Sequence, residues 1–408
     1  MKKTTWKASI FISFIVLTVL AFWVIVQKNN KPDTASAPPI GKSTQPGSIV
    51  ISKGGTYSGN WESTDSEIPA VEIRTFEKVI IENATIKGAG YLIKCWGYDA
   101  DVTVRQTRGY GLPPTPWKEY EKPRRFLIVN DFKNVVVENC YMENTAGIYV
   151  GDSYKGNGTE EQTVKIRFNK VKNIDGRIHG GWYRVQFVQF NFRNALPHAE
   201  ISWNEITNEP DRSRVEDNIN IYNTRGLPSS PIQIHNNYIE GAYPLPATSK
   251  EYSGGGIITD SPDADSTSST AFVHIHDNQL VALSNYCIGI AGGNNISVYN
   301  NRAIVSAMFD DGTAYSSWTS GIWAKDYYKR KATFKNKFYK NILAVAGQKR
   351  TWRNEIADST SAVAQVYDNN ILQSEVTKDL ERKEFELWQD KVNSQHITLG
   401  PETLAAPN

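Results

Sequence analysis

The sequence predicts an all-β solenoid of short stacked strands. Two observations predict it: an Asn-bearing motif that recurs along most of the chain, and a Gly-Ile motif that recurs in step with it. Both alternate apolar and polar residues with the period of a strand buried on one face.

The first motif is an apolar residue, two residues of any kind, and Asn. It reads IIEN at 80–83, VVEN at 136–139, IRFN at 166–169, ISWN at 201–204, IHNN at 234–237, IHDN at 275–278, VYNN at 298–301 and VYDN at 366–369. TFKN at 333–336 is a weaker copy. Most spacings fall in the range of solenoid repeats. A segment such as IQIHNNYIEG cannot bury Ile232, Ile234 and Ile239 alone; stacking each copy on the next builds one continuous core. Asn at a fixed place suits a turn, because it tolerates left-handed backbone and bonds locally. Stacked amides can also bond to one another along the axis.

The second motif reads GIYVGD at 147–152, GIITD at 256–260, IGIAGG at 288–293 and GIWAKD at 321–326. NINIYN at 218–223 occupies the matching place in its coil. Ile148, Ile219, Ile257, Ile288 and Ile322 should stack inside, and Tyr149, Asn220, Ile258, Gly289 and Trp323 outside. In the opening stretch of that coil, Asn218, Asn220 and Tyr222 should share the outward side.

On these residues the chain resembles a single-stranded right-handed parallel β-helix of the pectate-lyase-like superfamily, over about residues 48–373. That fold hosts lyases, hydrolases, epimerases and non-catalytic proteins, so it does not name a reaction.

The flanks differ in character. Lys2, Lys3 and Lys7 precede an uncharged apolar run, Ala8 to Val26. That run is long enough to span a bilayer and has bulky residues where a signal peptide would have a small-residue cleavage site. Residues 1–27 are expected to form a signal anchor and transmembrane helix, with the lysines cytoplasmic and the rest facing the periplasm or cell exterior. Residues 28–47 read as a flexible linker. Residues 374–408 read as an amphipathic helix and tail, expected to pack across the last coil. The three cysteines, Cys95, Cys140 and Cys287, lack metal-site spacing and read as reduced core residues.

Net charge is +2, and no basic block is expected to draw nucleic acid. A monomeric extracytoplasmic domain is expected. Four stretches read as insertions between coils: 96–125, 175–198, 241–254 and 260–270. Such loops carry binding groups on regular scaffolds.

In β-helix enzymes of the kind this chain resembles, polysaccharide lies in a groove along an outer strand face. Lyases there need a base and a cation or calcium, and hydrolases need two carboxyl groups. Glu216, Asp217 and Asp260 flank equivalent strands in nearby coils and, with Arg225, are the candidate catalytic residues. Asp217, Asp260 and Asp263 are candidate calcium ligands. Tyr149, Asn220, Trp323, Lys325, Arg184 and Trp182 are candidate substrate contacts. Against this stands plain pairing of Glu216 and Asp217 with Arg212 or Arg214. Asp310-Asp311 lacks the companion motifs of polygalacturonase-like hydrolases, which favours lyase or epimerase chemistry. His235 and His276 read as a stacked polar ladder rather than a metal site. The alternative for the whole chain is a non-catalytic polysaccharide-binding or structural protein of the cell envelope.

Overall fold

The structure is a computed structural model that describes residues 47–113, 121–179, 181–251, 254–263, 265 and 267–402. The expected anchor and almost all of the linker lie outside the described residues. Among the described residues no helix is long and apolar enough to cross a membrane.

Three long parallel sheets run the length of the solenoid. Sheet A has 10 strands, from Ile49–Ile51 to Ser320–Ala324, and sheets B and C have 11 each. Each coil gives one strand to each sheet, so a residue stacks on its counterpart one coil on. In sheet A the register runs Ile148, Val188, Ile219, Ile257, Ile288, Ile322. All six are buried in one core cluster. The neighbouring outward column runs Tyr149, Gln189, Asn220, Ile258, Gly289, Trp323. Both columns are as the Gly-Ile motif predicts, with Val188 and Gln189 added. Those two belong to strand Val188–Arg193, which the sequence reading placed inside an insertion. The stretch 96–125 likewise hides strands Ala100–Arg105 and Arg108–Gly111, so it is largely a coil.

The Asn motif resolves into two adjacent columns. The amides of Asn169, Asn204, Asn237, Asn278, Asn301, Asn341 and Asn369, all but the last buried, form a ladder. Each Nδ2 donates to the Oδ1 of the next at 2.8–3.0 Å. Each Oδ1 also accepts the backbone N–H of the preceding ladder residue. The left-handed residue is the one before: Phe168, Trp203, Asn236, Asp277, Asn300, Lys340 and Asp368 all have φ between 53° and 60°. Thus the ladder Asn and the left-handed turn residue are different positions. Asn83 and Asn139 are left-handed residues, not ladder members. Cys140 stands at the start of the ladder, its N–H donating to Asn169 Oδ1 at 2.9 Å. Asn336 is likewise outside the ladder; the ladder residue of its coil is Asn341.

On the outer face of sheet B, His235, His276, Tyr299, Tyr339 and Tyr367 stack ring on ring at 4.8–5.2 Å. The histidine ladder is therefore real and extends into tyrosines. All three cysteines are free and buried, and burial pushes the Cys95 and Cys140 thiols up to about 12.

Helix Lys378–Ser394 does not close the end of the last coil. Trp388 and Val392 bury against Tyr238, Val281, Ile304 and Ala344 on the outer face of sheet C. Thr377 caps its first turn, accepting from Leu380 N–H. The tail then runs back along the turns, where Asn139 Nδ2 donates to Thr398 O at 2.7 Å and Glu402 N–H to Gln106 Oε1. The apolar side read from the sequence is correct. Its partner is a sheet flank, because sheet C exposes an apolar stripe there.

Candidate active site

The candidate site lies on the outer face of sheet A, where four successive strands bring three acids together. They are Asp217–Tyr222, Gly255–Asp260, Tyr286–Ile290 and Ser320–Ala324. Asp217 is in register with Gly255, and Gly255 with Tyr286. A Cβ on Gly255 would lie 2.3 Å from the Tyr286 ring. The bare glycine therefore lets Tyr286 lean across it and donate its hydroxyl to Asp217 Oδ1. Gly289 plays the same part for Trp323, whose ring would meet a Cβ at 2.7 Å. Tyr286 and Trp323 meet edge to face at 5.7 Å.

Asn220 joins two of the acids. Its Nδ2 donates to Asp260 Oδ2 at 2.9 Å and lies 3.5 Å from Asp217 Oδ2. Tyr328 donates its hydroxyl to Asp260 Oδ1 at 2.7 Å. Glu216 pairs with Arg184 at 3.0 Å and accepts from Gln186 Nε2 at 3.3 Å. Asp217 and Asp260 are 5% and 6% exposed, whereas a quarter of the Glu216 side chain reaches solvent, at 25%. Glu216 is thus the member that water or a ligand meets first.

Burial raises the proton affinity of all three acids. Glu216 is pushed up to about 7 by burial and by the Asp260 charge, against the pull of Arg184. Asp217 is held well above the carboxylate range by burial and by Glu216, with Tyr286 opposing. Asp260 is raised by burial, while Tyr328, Asn220 and Arg184 hold it down. Tyr286 is also raised by burial and the facing Asp217, so it stays a donor. The three acids stand beside one partnering guanidinium, and each is shifted toward its protonated form. Among the described residues, Gln186 Oε1, Asn220 Oδ1 and Trp323 Nε1 are buried on this face with no hydrogen-bond partner. Two acceptors and a donor left open suit the hydroxyls of a bound ligand.

The remaining sequence candidates are placed differently. Arg225 is not brought to the acids: it donates to Thr267 O and lies over the Phe272 ring, at the turn toward sheet B. The Trp182 ring carries the Arg214 guanidinium at 4.1 Å, so that face is occupied. Arg212 pairs with Glu209 and Arg214 with Glu251, so neither neutralises Glu216 or Asp217. Tyr149 sits two coils along, with Asn191 donating to its hydroxyl and Arg125 above its ring. Lys325 is exposed just past its strand. Asp310 pairs with Lys378 of the C-terminal helix instead of joining the acids. Asn218 turns inward, fully buried, and accepts from Asn208 Nδ2. The outward reading of Asn218 fails because Asn218 and Ile219 are both buried, so the in–out alternation breaks at the start of the strand. Gln186, Tyr286 and Tyr328 were missed. The Gly255 and Gly289 columns were the available signal, since a glycine in an outward column invites a large neighbour.

Calcium does not fit this arrangement. Both Asp217 and Asp260 already accept from a tyrosine hydroxyl and from Asn220, and exposed Asp263 accepts from Asn223. Among the described residues no group of three or more His, Cys, Asp or Glu is arranged to hold a metal. Calcium needs six to eight oxygens.

No protein-family model matches the chain, and no curated protein matches it. Among solved structures it is similar to a mannuronic acid specific polysaccharide family 6 lyase from human gut microbiota. The TM-score is 0.39 at 13% identity, over 87% of this chain and 90% of that one. A likeness at that level bears on neither chemistry nor residue roles.

Proposed function

We propose that the protein cleaves glycosidic bonds of a weakly charged polysaccharide by general acid–base chemistry on the outer face of sheet A. The observation that carries this reading is the raised, solvent-facing carboxyl of Glu216 beside two buried carboxyls. Glu216 donates its proton to the departing glycosidic oxygen. Asp260, whose two oxygens each accept a hydrogen bond, is the partner best held as carboxylate, and it takes the proton of the water that adds to the anomeric carbon. Asp217, buried at 5% exposure, keeps Tyr286 and Asn220 in place. The free Gln186, Asn220 and Trp323 atoms take sugar hydroxyls.

Elimination next to a uronate carboxylate is disfavoured here, because an anionic sugar would meet three acids and one paired arginine. This departs from the lyase or epimerase emphasis of the sequence. The apolar N-terminal run supports placing this chemistry at the membrane, on its outer side.

The test is a panel of neutral and uronate polysaccharides, followed for new reducing ends and for the ultraviolet absorbance of unsaturated uronates. Reducing ends without that absorbance are expected, and Glu216→Gln should lower the rate roughly 10²–10⁴-fold. Unsaturated product would replace this reading with a lyase. A binding role without turnover is favoured by the near-complete cover over Asp217 and Asp260. Retention of the protein on a polymer that it never cleaves would decide for it.

A further inference from the structure

The sheet B face carries a second groove, remote in character from the acid cluster. It has a volume of about 720 Å³ and is lined by Phe272, His274, Ser297, Phe334, Lys335 and Lys337, among others. It crosses four successive strands: Ala271–His276, Asn294–Tyr299, Asn336–Tyr339 and Ala364–Tyr367. Three strand spacings give a length of about 14 Å, which suits a short chain rather than one small ion. The outward residues His274, Ser297, Lys337 and Gln365 are stacked in register along its floor.

Its charge sets it apart. No carboxylate among the described residues lines it. Earlier coils of the same sheet neutralise their cations: Arg105 pairs with Glu82 at 2.6 Å and Arg167 with Glu138 at 3.1 Å. Lys335 and Lys337 are exposed and have no acidic partner among the described residues. Arg225 adds a further positive charge behind the groove, over the Phe272 ring at 5.6 Å. The segment from Lys325 to Lys340 holds seven basic residues and one acid. That is a basic block, contrary to the expectation from overall charge. Its lysines come to the groove because the strand Asn336–Tyr339 turns Lys337 outward while Asn336 and Phe338 are buried.

We propose that this groove binds an acidic oligosaccharide segment, with Lys335 and Lys337 on its carboxylates and the groove's amide and hydroxyl groups on its hydroxyls. The site goes beyond the proposed cleavage chemistry and lies on a different sheet. Burial and the neighbouring His276 hold the His274 imidazole below its usual range, so it serves as a neutral hydrogen-bonding group. Folded this way, one face holds an anionic stretch of polymer while the acid-lined face excludes anions.

The experiment uses the protein spanning residues 43–408, which is one compact unit. Binding is measured by calorimetry to an oligogalacturonide, to a neutral glucan of equal length and to a single-stranded oligonucleotide. The expected result is salt-sensitive binding of the oligogalacturonide, weakened at least tenfold in Lys335→Glu/Lys337→Glu and unchanged in Glu216→Gln. The neutral glucan should not bind this groove. Both substituted lysines are exposed, and retained circular dichroism checks the fold. Absence of oligogalacturonide binding, binding insensitive to the double substitution, or equally strong oligonucleotide binding would overturn the proposal. Because Glu216→Gln leaves this groove intact, failure here is separable from failure of the catalytic reading.

Discussion

Glu216 gives the sharpest quantitative test of the acid cluster. Its carboxyl sits at about 7 in the folded protein against an ordinary 4.5. The folded state therefore keeps a proton that the unfolded chain releases between those values. Where the folded state binds more protons, stability falls as pH rises. The contribution is intact below about 4.5 and lost above about 7. A displacement of this size corresponds to about 3 kcal/mol, and partial solvent exposure reduces it to about 2 kcal/mol. Asp217 and Asp260, also raised, act in the same direction from lower starting values. Glu216→Gln fixes the neutral form. Urea unfolding of residues 43–408 should show the variant close to wild type at pH 4 and more stable by about 2 kcal/mol at pH 8. The same group predicts that cleavage declines as pH rises through about 7. A stability difference that stays constant from pH 4 to pH 8 would refute the reasoning. It would mean that Arg184 holds Glu216 ionised, and the case for a proton donor would go with it.

Two further outcomes follow from the packing. Asn237→Ala removes an amide that donates to Ile201 O and Asn278 Oδ1 and accepts from Asn204 N–H and Nδ2. With buried groups left unpaired, it should cost about 3–5 kcal/mol in urea unfolding, whereas Asp368→Gly, at an exposed left-handed residue with φ 54°, should change stability by no more than a few tenths. Gly255→Ala places a methyl 2.3 Å from the Tyr286 ring. It should displace Tyr286 from Asp217 and lower cleavage at least tenfold while melting stays cooperative, and unchanged activity would show that the Tyr286 contact is idle.

Column logic explains what was legible in the sequence and what was not. A solenoid repeats its backbone, so an apolar residue at one place in every coil declares a core column. Ile219 and Ile257 were readable for that reason. The Asn ladder was readable as a ladder, because one amide per coil can serve both neighbours. Its register was off by one at Asn83 and Asn139 because two adjacent turn positions both favour Asn, one for its amide and one for its backbone. The coil around Gln106 and Thr107 was hidden because neither position there is Asn. Strand Val188–Arg193 lacked the Gly-Ile signature and was read as part of a loop.

The acids were found for a weaker reason; of their partners, Arg184 and Asn220 were named only as substrate contacts, and Gln186, Tyr286 and Tyr328 were not named. Glu216, Asp217 and Asp260 lie next to strands whose stacking was evident, so their convergence followed from register. Arg184 and Tyr328 reach them from irregular segments, where no repeat fixes the direction of a side chain. Arg225 shows the converse. It lies close to the acids in sequence, yet two or three residues past a strand end are enough to carry a side chain around the corner to the next sheet. Its charge then contributes to the basic side of the solenoid rather than the acidic one. In such a fold, distance along the chain matters less than which of three faces a residue occupies. The two proposed sites follow from that division. Acids gather on sheet A, where glycine columns let aromatic rings cover and desolvate them. Unpaired lysines gather on sheet B, in the coils where the acidic partners of the earlier turns run out.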